Sequence, residues 1–165
     1  MKVLFIGRFQ PFHKGHLKVI KYLLEKYDKI VIGIGSSQYK NISKNPFSSE
    51  ERKRMIEKTL KNESLSEYEI IDIPDIHNPP KWVDHVLSIF SDFEVVASNN
   101  DFTKELFQKK GYKVVDTPIF DGEHLSGKNI RKRIKNNEEW RDLVPNPVLA
   151  IIKKINGIKR IKNLD

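Results

Sequence analysis

Short apolar runs alternate with helical patterns along most of this chain of 165 residues, and that alternation limits the possible folds more than any other feature. Val3–Ile6, Lys29–Gly35 and Tyr68–Ile73 are each short enough and apolar enough to predict a buried strand. Between the first two, Lys14–Tyr27 places apolar side chains three or four residues apart, which predicts a helix. Such alternation predicts an α/β fold with a Rossmann-like, doubly wound parallel sheet, in which ligands bind beyond the carboxyl ends of the strands.

The second half of the chain continues the alternation and then becomes helical. Its predicted elements are helices over Ser49–Leu60 and Pro79–Phe90, a strand at Val95–Ala97, a helix from the N-cap Asp101 to Gly111 at C′, a strand over Lys113–Thr117, and helices from the cap Ser126 to Asn136 and from Asn146 to Ile155. No linker interrupts this series. We therefore expect one domain over residues 1–165, with C-terminal helices packed on the sheet.

Composition excludes several classes of protein. The chain has no cysteine, so it can form neither a disulfide framework nor a thiolate metal site. It has no apolar run near the roughly 18 residues of a membrane span and no signal-peptide pattern. We therefore expect a cytoplasmic protein without a membrane partner.

The net charge of +8 is concentrated at one end of the chain. Residues 126–165 contain 11 Lys and Arg against 4 Asp and Glu, whereas residues 1–125 contain 19 against 18. A basic segment of this kind can bind nucleic acid, a partner protein or the phosphates of a substrate, and most often it is simply the solvated face of a helix. Aromatic residues do not interleave with the charges as they do in single-strand binders, so we do not expect nucleic acid as the partner.

The stretch from Gly7 to His16 is the first candidate site. It lies between the first strand and the first helix, and it places His13 and His16 on either side of Gly15. A helix start exposes unpaired N–H groups and the positive end of the helix dipole, so it favours phosphate. Imidazoles at that point would donate hydrogen bonds to phosphoryl oxygens. Zinc is the rival ligand of the pair, but it needs a third and usually a fourth ligand, and the other histidines are scattered.

A second basic segment, Ser126–Arg131, also begins a helix, and together the two segments could clamp a polyphosphate from both sides. Further polar groups follow other strand ends, at Ser36 and Ser37 with Arg52 beyond them, and at Asp75 through Trp82. Trp82 could stack on a flat ring there, or it could belong to the core.

These residues resemble a known family. His13-Lys14-Gly15-His16 is similar to the H-x-G-H signature of the nucleotidyltransferase superfamily, and Ser126–Arg131 resembles its second motif. The full string from Gly7 to His16 resembles the archaeal-type nicotinamide mononucleotide (NMN) adenylyltransferases. Arg8 is the discriminating residue, because related cytidylyltransferases and phosphopantetheine adenylyltransferases usually have Gly-Thr-Phe-Asp at this point.

The resemblance implies an adenylyltransferase that makes NAD⁺ and pyrophosphate from ATP and NMN, with Mg²⁺ carried by ATP, in a homo-oligomer that the family forms as a hexamer. A related enzyme with nicotinic acid mononucleotide or phosphopantetheine as acceptor is the alternative. The implied catalytic residues are His13, His16 and Arg131. The implied ATP and phosphate contacts are Gly7, Arg8, Phe9, Arg52, Ser126 and Lys128, and the implied NMN contacts are Ser36, Ser37, Asp75, Ile76, Trp82 and Asn100.

The sequence departs from the family pattern at three places, two single residues and one short segment. Lys128 stands where the second motif normally has threonine, and Pro79 stands where the nicotinamide pocket normally has asparagine. Ser98–Asp101 replaces the usual Ser-Gly-Asn-Pro. The first change exchanges a hydroxyl for a longer cation next to the expected phosphates.

Overall fold

A computed structural model describes residues 1–165 as five strands, seven α-helices and one 3₁₀ turn. The strands are β1 (Lys2–Gly7), β2 (Lys29–Gly35), β3 (Tyr68–Ile73), β4 (Val95–Ala97) and β5 (Lys113–Val115). The helices are α1 (Lys14–Lys26), α2 (Ser49–Asn62), α3 (Pro79–Ile89), α4 (Asp101–Lys109), α5 (Gly127–Lys135), α6 (Asn146–Lys154) and α7 (Gly157–Asn163), with the 3₁₀ turn at Arg141–Leu143. The predicted boundaries agree with these to within two residues: α2 continues to Asn62 rather than Leu60, β5 stops at Val115 rather than Thr117, and Asn100 rather than Asp101 caps α4.

All five strands are parallel and lie in the order β3-β2-β1-β4-β5. The chain therefore starts at the centre of the sheet, builds outward to one edge and then returns to build the other. The predicted doubly wound sheet is confirmed. Because the winding direction changes on either side of β1, the crevice beside the carboxyl end of β1 is where this topology leaves room for a ligand.

The core lies on both faces of the sheet. Val3 and Phe5 of β1 belong to the larger of two apolar clusters, and Leu4 between them belongs to the smaller one. This division follows from the alternation of side chains along a strand. Helices α3 and α4 cover the smaller cluster, while the other helices cover the larger.

The C-terminal helices are integral to the larger cluster. Ile130 and Ile134 of α5, Val148 and Ile152 of α6, and Ile161 of α7 are all buried in it. Arg160 of α7 also forms a two-point ion pair with Glu51 of α2, at 2.6 and 2.9 Å. The basic region is thus a packed part of the domain rather than a detached tail. None of the helices has the length and apolar character that crossing a membrane requires.

Candidate active site

Three cavities meet at the carboxyl end of β1. The strand cleft, of about 460 Å³, lies among the ends of β1 to β4 and includes Asp75 and Trp82 in its lining. The helix cleft, of about 370 Å³, lies against the starts of α1 and α5. The cationic groove, of about 470 Å³, follows α5 and is lined by Arg8, Ser43, Lys44, Lys128, Arg131, Lys135, Ile161 and Leu164. Gly7 is shared by the two clefts, and Arg8 is shared by the strand cleft and the groove.

His13 and His16 form a reciprocal cap at the start of α1. The Nδ1 atom of His13 accepts hydrogen bonds from the backbone N–H groups of Gly15 and His16, at 3.1 and 3.3 Å. The Nδ1 atom of His16 accepts one from the backbone N–H of His13, at 3.1 Å. Because each Nδ1 is an acceptor, each neutral ring carries its proton on Nε2. Both rings line the helix cleft, so the pair brings two N–H donors to its wall.

Both imidazoles are held in the neutral form. Burial lowers the pKa of His13 to about 4. Burial also lowers the pKa of His16 well below its ordinary value, and the adjacent His13 lowers it further. The His13 and His16 rings stack at 3.5 Å between centroids, and the Phe12 ring also stacks with His16, at 5.5 Å. Two stacked rings surrounded by aromatic carbon cannot both carry charge, so at neutral pH the pair donates hydrogen bonds without positive charge.

Arg131 attaches the start of α5 to the turn that follows β1. Its Nη1 atom donates to the carbonyl oxygen of Gln10 at 2.7 Å. Gly127 packs on the same carbonyl so closely that an added Cβ would lie 2.9 Å from that oxygen. Burial and the nearby positive charge of Arg8 lower the pKa of Arg131 to about 10, so it remains a cation at neutral pH. The two basic motifs of the sequence therefore do meet in space.

The strand cleft has a fixed polar floor and one aromatic wall. Ser36 donates its hydroxyl to Asp75 Oδ2 at 2.7 Å, and the side chain of Gln38 bonds both backbone groups of Asp75 at 2.9 Å. Trp82 packs edge-on against buried Phe107, with centroids 5.6 Å apart, and its indole also lines the cleft. Trp82 is thus both a core residue and a cleft residue. Ile76 and Asn100 line the same cleft.

Comparison with known proteins decides the family. A sequence profile described as cytidylyltransferase-like matches residues 4–133. The chain belongs to the cytidylyltransferase-like family. Proteins named nicotinamide-nucleotide adenylyltransferase are similar over almost its whole length: that of Methanococcus aeolicus is 45% identical over 165 residues, covering 100% of this chain and 95% of the relative. That of Pyrococcus furiosus is 43% identical over 164 residues, covering 98% of this chain and 87% of the relative. The resemblance stated from the motifs is confirmed.

A solved structure agrees on the fold. The chain superposes with a TM-score of 0.81 and 24% identity on a bifunctional NMN adenylyltransferase/ADP ribose pyrophosphatase from Francisella tularensis, which was complexed with AMP and a manganese ion. The match covers 98% of this chain and 51% of the bifunctional protein, so the chain spans about half of that protein's length.

One expected phosphate ligand of this cytidylyltransferase-like chain has a different task. The Arg52 side chain is fully buried, and its guanidinium donates to the carbonyl oxygens of five residues: Arg8, Gly35, Ser36, Tyr39 and Ser48. A guanidinium has five N–H donors, and all five are used. The prediction that Arg52 contacts phosphate was therefore wrong. Arg52 instead ties together the loops that follow β1 and β2.

Three other expected contacts are modified by the structure. Phe9 is buried with its ring against His16, at 4.7 Å between centroids, so its side chain supports the histidine rather than facing a ligand. The Ser126 hydroxyl caps α5 by accepting from Asn129 N at 3.1 Å, and it donates to Glu123 O at 3.3 Å. Ser37 does not line the strand cleft, and its backbone N–H bonds the carbonyl of Ile73.

Two residues that were not predicted contribute to the site. The buried side chain of Gln10 hydrogen-bonds the backbone N–H and carbonyl of Phe47, both at 2.9 Å. The backbone carbonyl of Gln10 accepts the hydrogen bond from Arg131. His77 lines the strand cleft and shares a 2.7 Å hydrogen bond with the Tyr39 hydroxyl. Gln10 lies within the first motif and could have been noticed there, whereas nothing in the sequence marks the pairing of Tyr39 with His77.

Proposed function

We infer that the chain transfers the adenylyl group of ATP to NMN and releases NAD⁺ and pyrophosphate. The observation that carries this inference is the meeting of three cavities at Gly7 and Arg8. One cavity offers a flat aromatic wall, the second offers two neutral N–H donors, and the third offers cations. An acceptor nucleotide, the adenosine and α-phosphate of ATP, and the outer phosphates of ATP need these three environments in that arrangement. The full-length similarity to proteins named for this activity supports the same conclusion.

We assign the acceptor to the strand cleft. The indole of Trp82 stacks on the nicotinamide ring, and Asp75, held by Ser36 and Gln38, supplies a fixed polar group beside it. Ile76 and Asn100 complete the contacts with NMN. The phosphate of NMN then lies at Gly7 and Arg8, where the strand cleft joins the other two cavities.

We assign ATP to the helix cleft and the cationic groove. Adenosine occupies the helix cleft, and the Nε2–H groups of His13 and His16 donate to phosphoryl oxygens. Arg8, Lys128 and Arg131 contact the outer phosphates from the groove. The starts of α1 and α5 add backbone N–H groups and the positive ends of two helix dipoles.

The chemistry requires charge stabilisation rather than a general base. The second pKa of a phosphate monoester is near 6, so the phosphate of NMN is mostly a dianion at neutral pH. One of its oxygens forms a bond to the α-phosphorus, the bond from that phosphorus to the bridging oxygen breaks, and pyrophosphate leaves with the electron pair. The barrier comes from bringing one anion to another, which explains a site built from imidazoles, guanidiniums and ammonium groups.

We propose that Mg²⁺ enters the site bound to ATP rather than to protein side chains. No group of three or more His, Cys, Asp or Glu side chains lies close enough to hold a metal ion. Mg²⁺ prefers oxygen ligands and keeps several waters, so the phosphate oxygens of ATP supply its ligands here. We also propose that the enzyme works in the cytoplasm as a homo-oligomer, which light scattering coupled to gel filtration tests.

A panel of acceptors tests the function. The protein is incubated with ATP and Mg²⁺ and, in separate reactions, with NMN, nicotinic acid mononucleotide or phosphopantetheine. We expect NAD⁺ and pyrophosphate in equal amounts from NMN. Adenylylation of phosphopantetheine with no product from NMN would overturn the assignment, and faster reaction of nicotinic acid mononucleotide would change the named acceptor but not the reaction.

A further inference from the structure

The cations of the groove follow a line along α5. Lys128, Arg131 and Lys135 are separated by three and four residues, so they lie on one face of the helix, and all three line the groove. Seven residues of helix rise by about 10.5 Å. The row begins where Gly127 and Arg131 contact Gln10, close to the histidine cap, and it ends at Lys135, which hydrogen-bonds the carbonyl of Leu164. The row therefore leads away from the position assigned to the α-phosphate.

The positive charge in this groove has no acidic counter-charge within ion-pair distance in the protein. The lining of the groove contains no Asp or Glu. None of its five cations takes part in an ion pair: Arg8, Lys44, Lys128, Arg131 and Lys135. By contrast, Arg160 is paired with Glu51, although it directly precedes the groove residue Ile161. Like charges held together without a counter-charge repel one another, so this cluster favours binding of an anion with several charges.

The row is longer than the proposed reaction needs. Pyrophosphate consists of two linked phosphate tetrahedra, to which we have assigned Arg8 and the first two cations of the row, Lys128 and Arg131. Lys135 lies one further helical turn away. Its ammonium has three donors, of which the Leu164 carbonyl takes one, so it keeps donors for another phosphate.

We propose that the far end of the cationic groove, at Lys135, is an additional phosphate subsite, and that the protein accepts a polyphosphate leaving group one phosphate longer than pyrophosphate. This inference rests on the proposed function. The new donor is adenosine 5′-tetraphosphate. An oxygen of the NMN phosphate bonds the α-phosphorus, the bond to the bridging oxygen breaks, and tripolyphosphate leaves with the electron pair. In reverse, tripolyphosphate and NAD⁺ give adenosine tetraphosphate and NMN.

Calorimetric titration of the full chain with inorganic pyrophosphate and with inorganic tripolyphosphate, at one fixed concentration of free Mg²⁺, tests the subsite directly. We expect tripolyphosphate to bind about tenfold more tightly, as one further charge-assisted contact would give. In Lys135→Ala the two dissociation constants should become nearly equal. Lys132→Ala is the matched control, since it removes the same charge from an exposed position of the same helix that does not line the groove; it should keep the full preference.

Equal binding of the two anions by the unaltered protein would overturn the subsite, and so would a preference that survives in Lys135→Ala or is lost equally in Lys132→Ala. A second measurement replaces ATP with adenosine tetraphosphate and follows NAD⁺ and tripolyphosphate. Absence of NAD⁺ from ATP and NMN would refute the proposed function while leaving the titration as a test of the groove. NAD⁺ from ATP but none from the tetraphosphate would refute the subsite alone.

Discussion

The helix cleft and the cationic groove, to which we assign the phosphates of ATP, are built on opposite principles; we call them the histidine side and the lysine side. On one side, His13 and His16 are packed against aromatic rings, uncharged, and fixed by three hydrogen bonds from the backbone. On the other side, Lys44, Lys128 and Lys135 are exposed and charged, and none takes part in an ion pair.

The difference separates two tasks. A hydrogen bond to a transition state depends on distance and angle, so its donor must be preorganised, and burial against apolar rings fixes an uncharged donor at less cost than a charged one. Attraction of a polyanion acts over a longer range and tolerates mobile side chains, so exposed ammonium groups suffice. The histidine side should therefore control turnover, whereas the lysine side should control affinity and its dependence on salt.

Loss of His16 should give the largest effect. We expect His16→Ala to lower turnover by about 10² to 10³-fold, the usual result of removing one preorganised donor, with much less change in ATP affinity. Steady-state rates and ATP titration measure the two quantities. His124→Ala is the control, because His124 is exposed and does not line the cleft. A large drop in melting temperature with near-normal turnover would make His16 a structural cap and remove the distinction between the two sides.

Acid should destabilise the histidine side. The unfolded chain takes up a proton on His13 near pH 6.5, whereas the folded chain keeps it neutral until the pKa of about 4. The unfolded state thus binds more protons between these values, and the free energy of unfolding falls as the pH is lowered from 6.5 to 4, by about 3 kcal/mol for this residue. Urea unfolding across this range measures the slope. His13→Asn keeps an acceptor for the cap without a titrating group and should show a shallower slope; parallel slopes would contradict the assignment.

The lysine side should affect binding more than chemistry. Lys128→Ala should raise the dissociation constant for ATP roughly tenfold at low salt, the lower end of the range for a charge-assisted contact, with a smaller change in turnover. Added salt should reduce the gap between the variant and the unaltered protein, because exposed charges are screened. Lys132→Ala should bind ATP normally at every salt concentration. A variant with normal affinity but slow turnover would mean that Lys128 works as the histidines do.

A substitution of Trp82 tests an uncharged contact, whose effect can be compared with those of the histidine and lysine substitutions. Trp82→Ala should weaken NMN binding about fivefold, equivalent to roughly 1 kcal/mol of stacking, with ATP binding nearly unchanged and no dependence on salt. Fluorescence or calorimetric titration with each substrate separates the two affinities. If the folded variant binds NMN normally, the indole serves only the packing against Phe107.

The fold was predictable because its strands are short runs of β-branched and aliphatic residues with polar ends. Tyr68–Ile73 and Val95–Ala97 have the predicted bounds for this reason. The start of α4 was misplaced by one residue because Asn100 and Asp101 are adjacent and both are good caps, so local preference cannot choose between them. The count of charges alone left the role of the basic C-terminal region open. The structure answers this question, because contacts between residues distant in sequence bury its helices in the core.

The candidate site could be predicted where its side chains follow a recognisable spacing, but not where the contacts are made by backbone atoms. The spacing of His13 and His16 marked a helix start, yet imidazoles as reciprocal caps lie outside the usual Ser, Thr, Asp and Asn. The partners of Arg52 are carbonyl oxygens, which every residue has, so no sequence pattern distinguishes them from phosphate. Only part of the cationic groove could be predicted from the sequence. The spacing of Lys128, Arg131 and Lys135 places them on one face of a helix, but Arg8 and Lys44 lie beside them only because of the fold.

The buried guanidinium of Arg52 makes two separate loops into one unit of motion. It holds the carbonyls of Arg8, Gly35, Ser36 and Tyr39 at once, so the turn after β1 cannot open while the turn after β2 stays closed without leaving a buried cation short of acceptors. In hydrogen exchange, the amides of these turns should therefore share a single opening free energy. The rim of the strand cleft and the Arg8 end of the cationic groove should then open and close together, and with the binding sites proposed above this couples the entry of NMN to that of ATP.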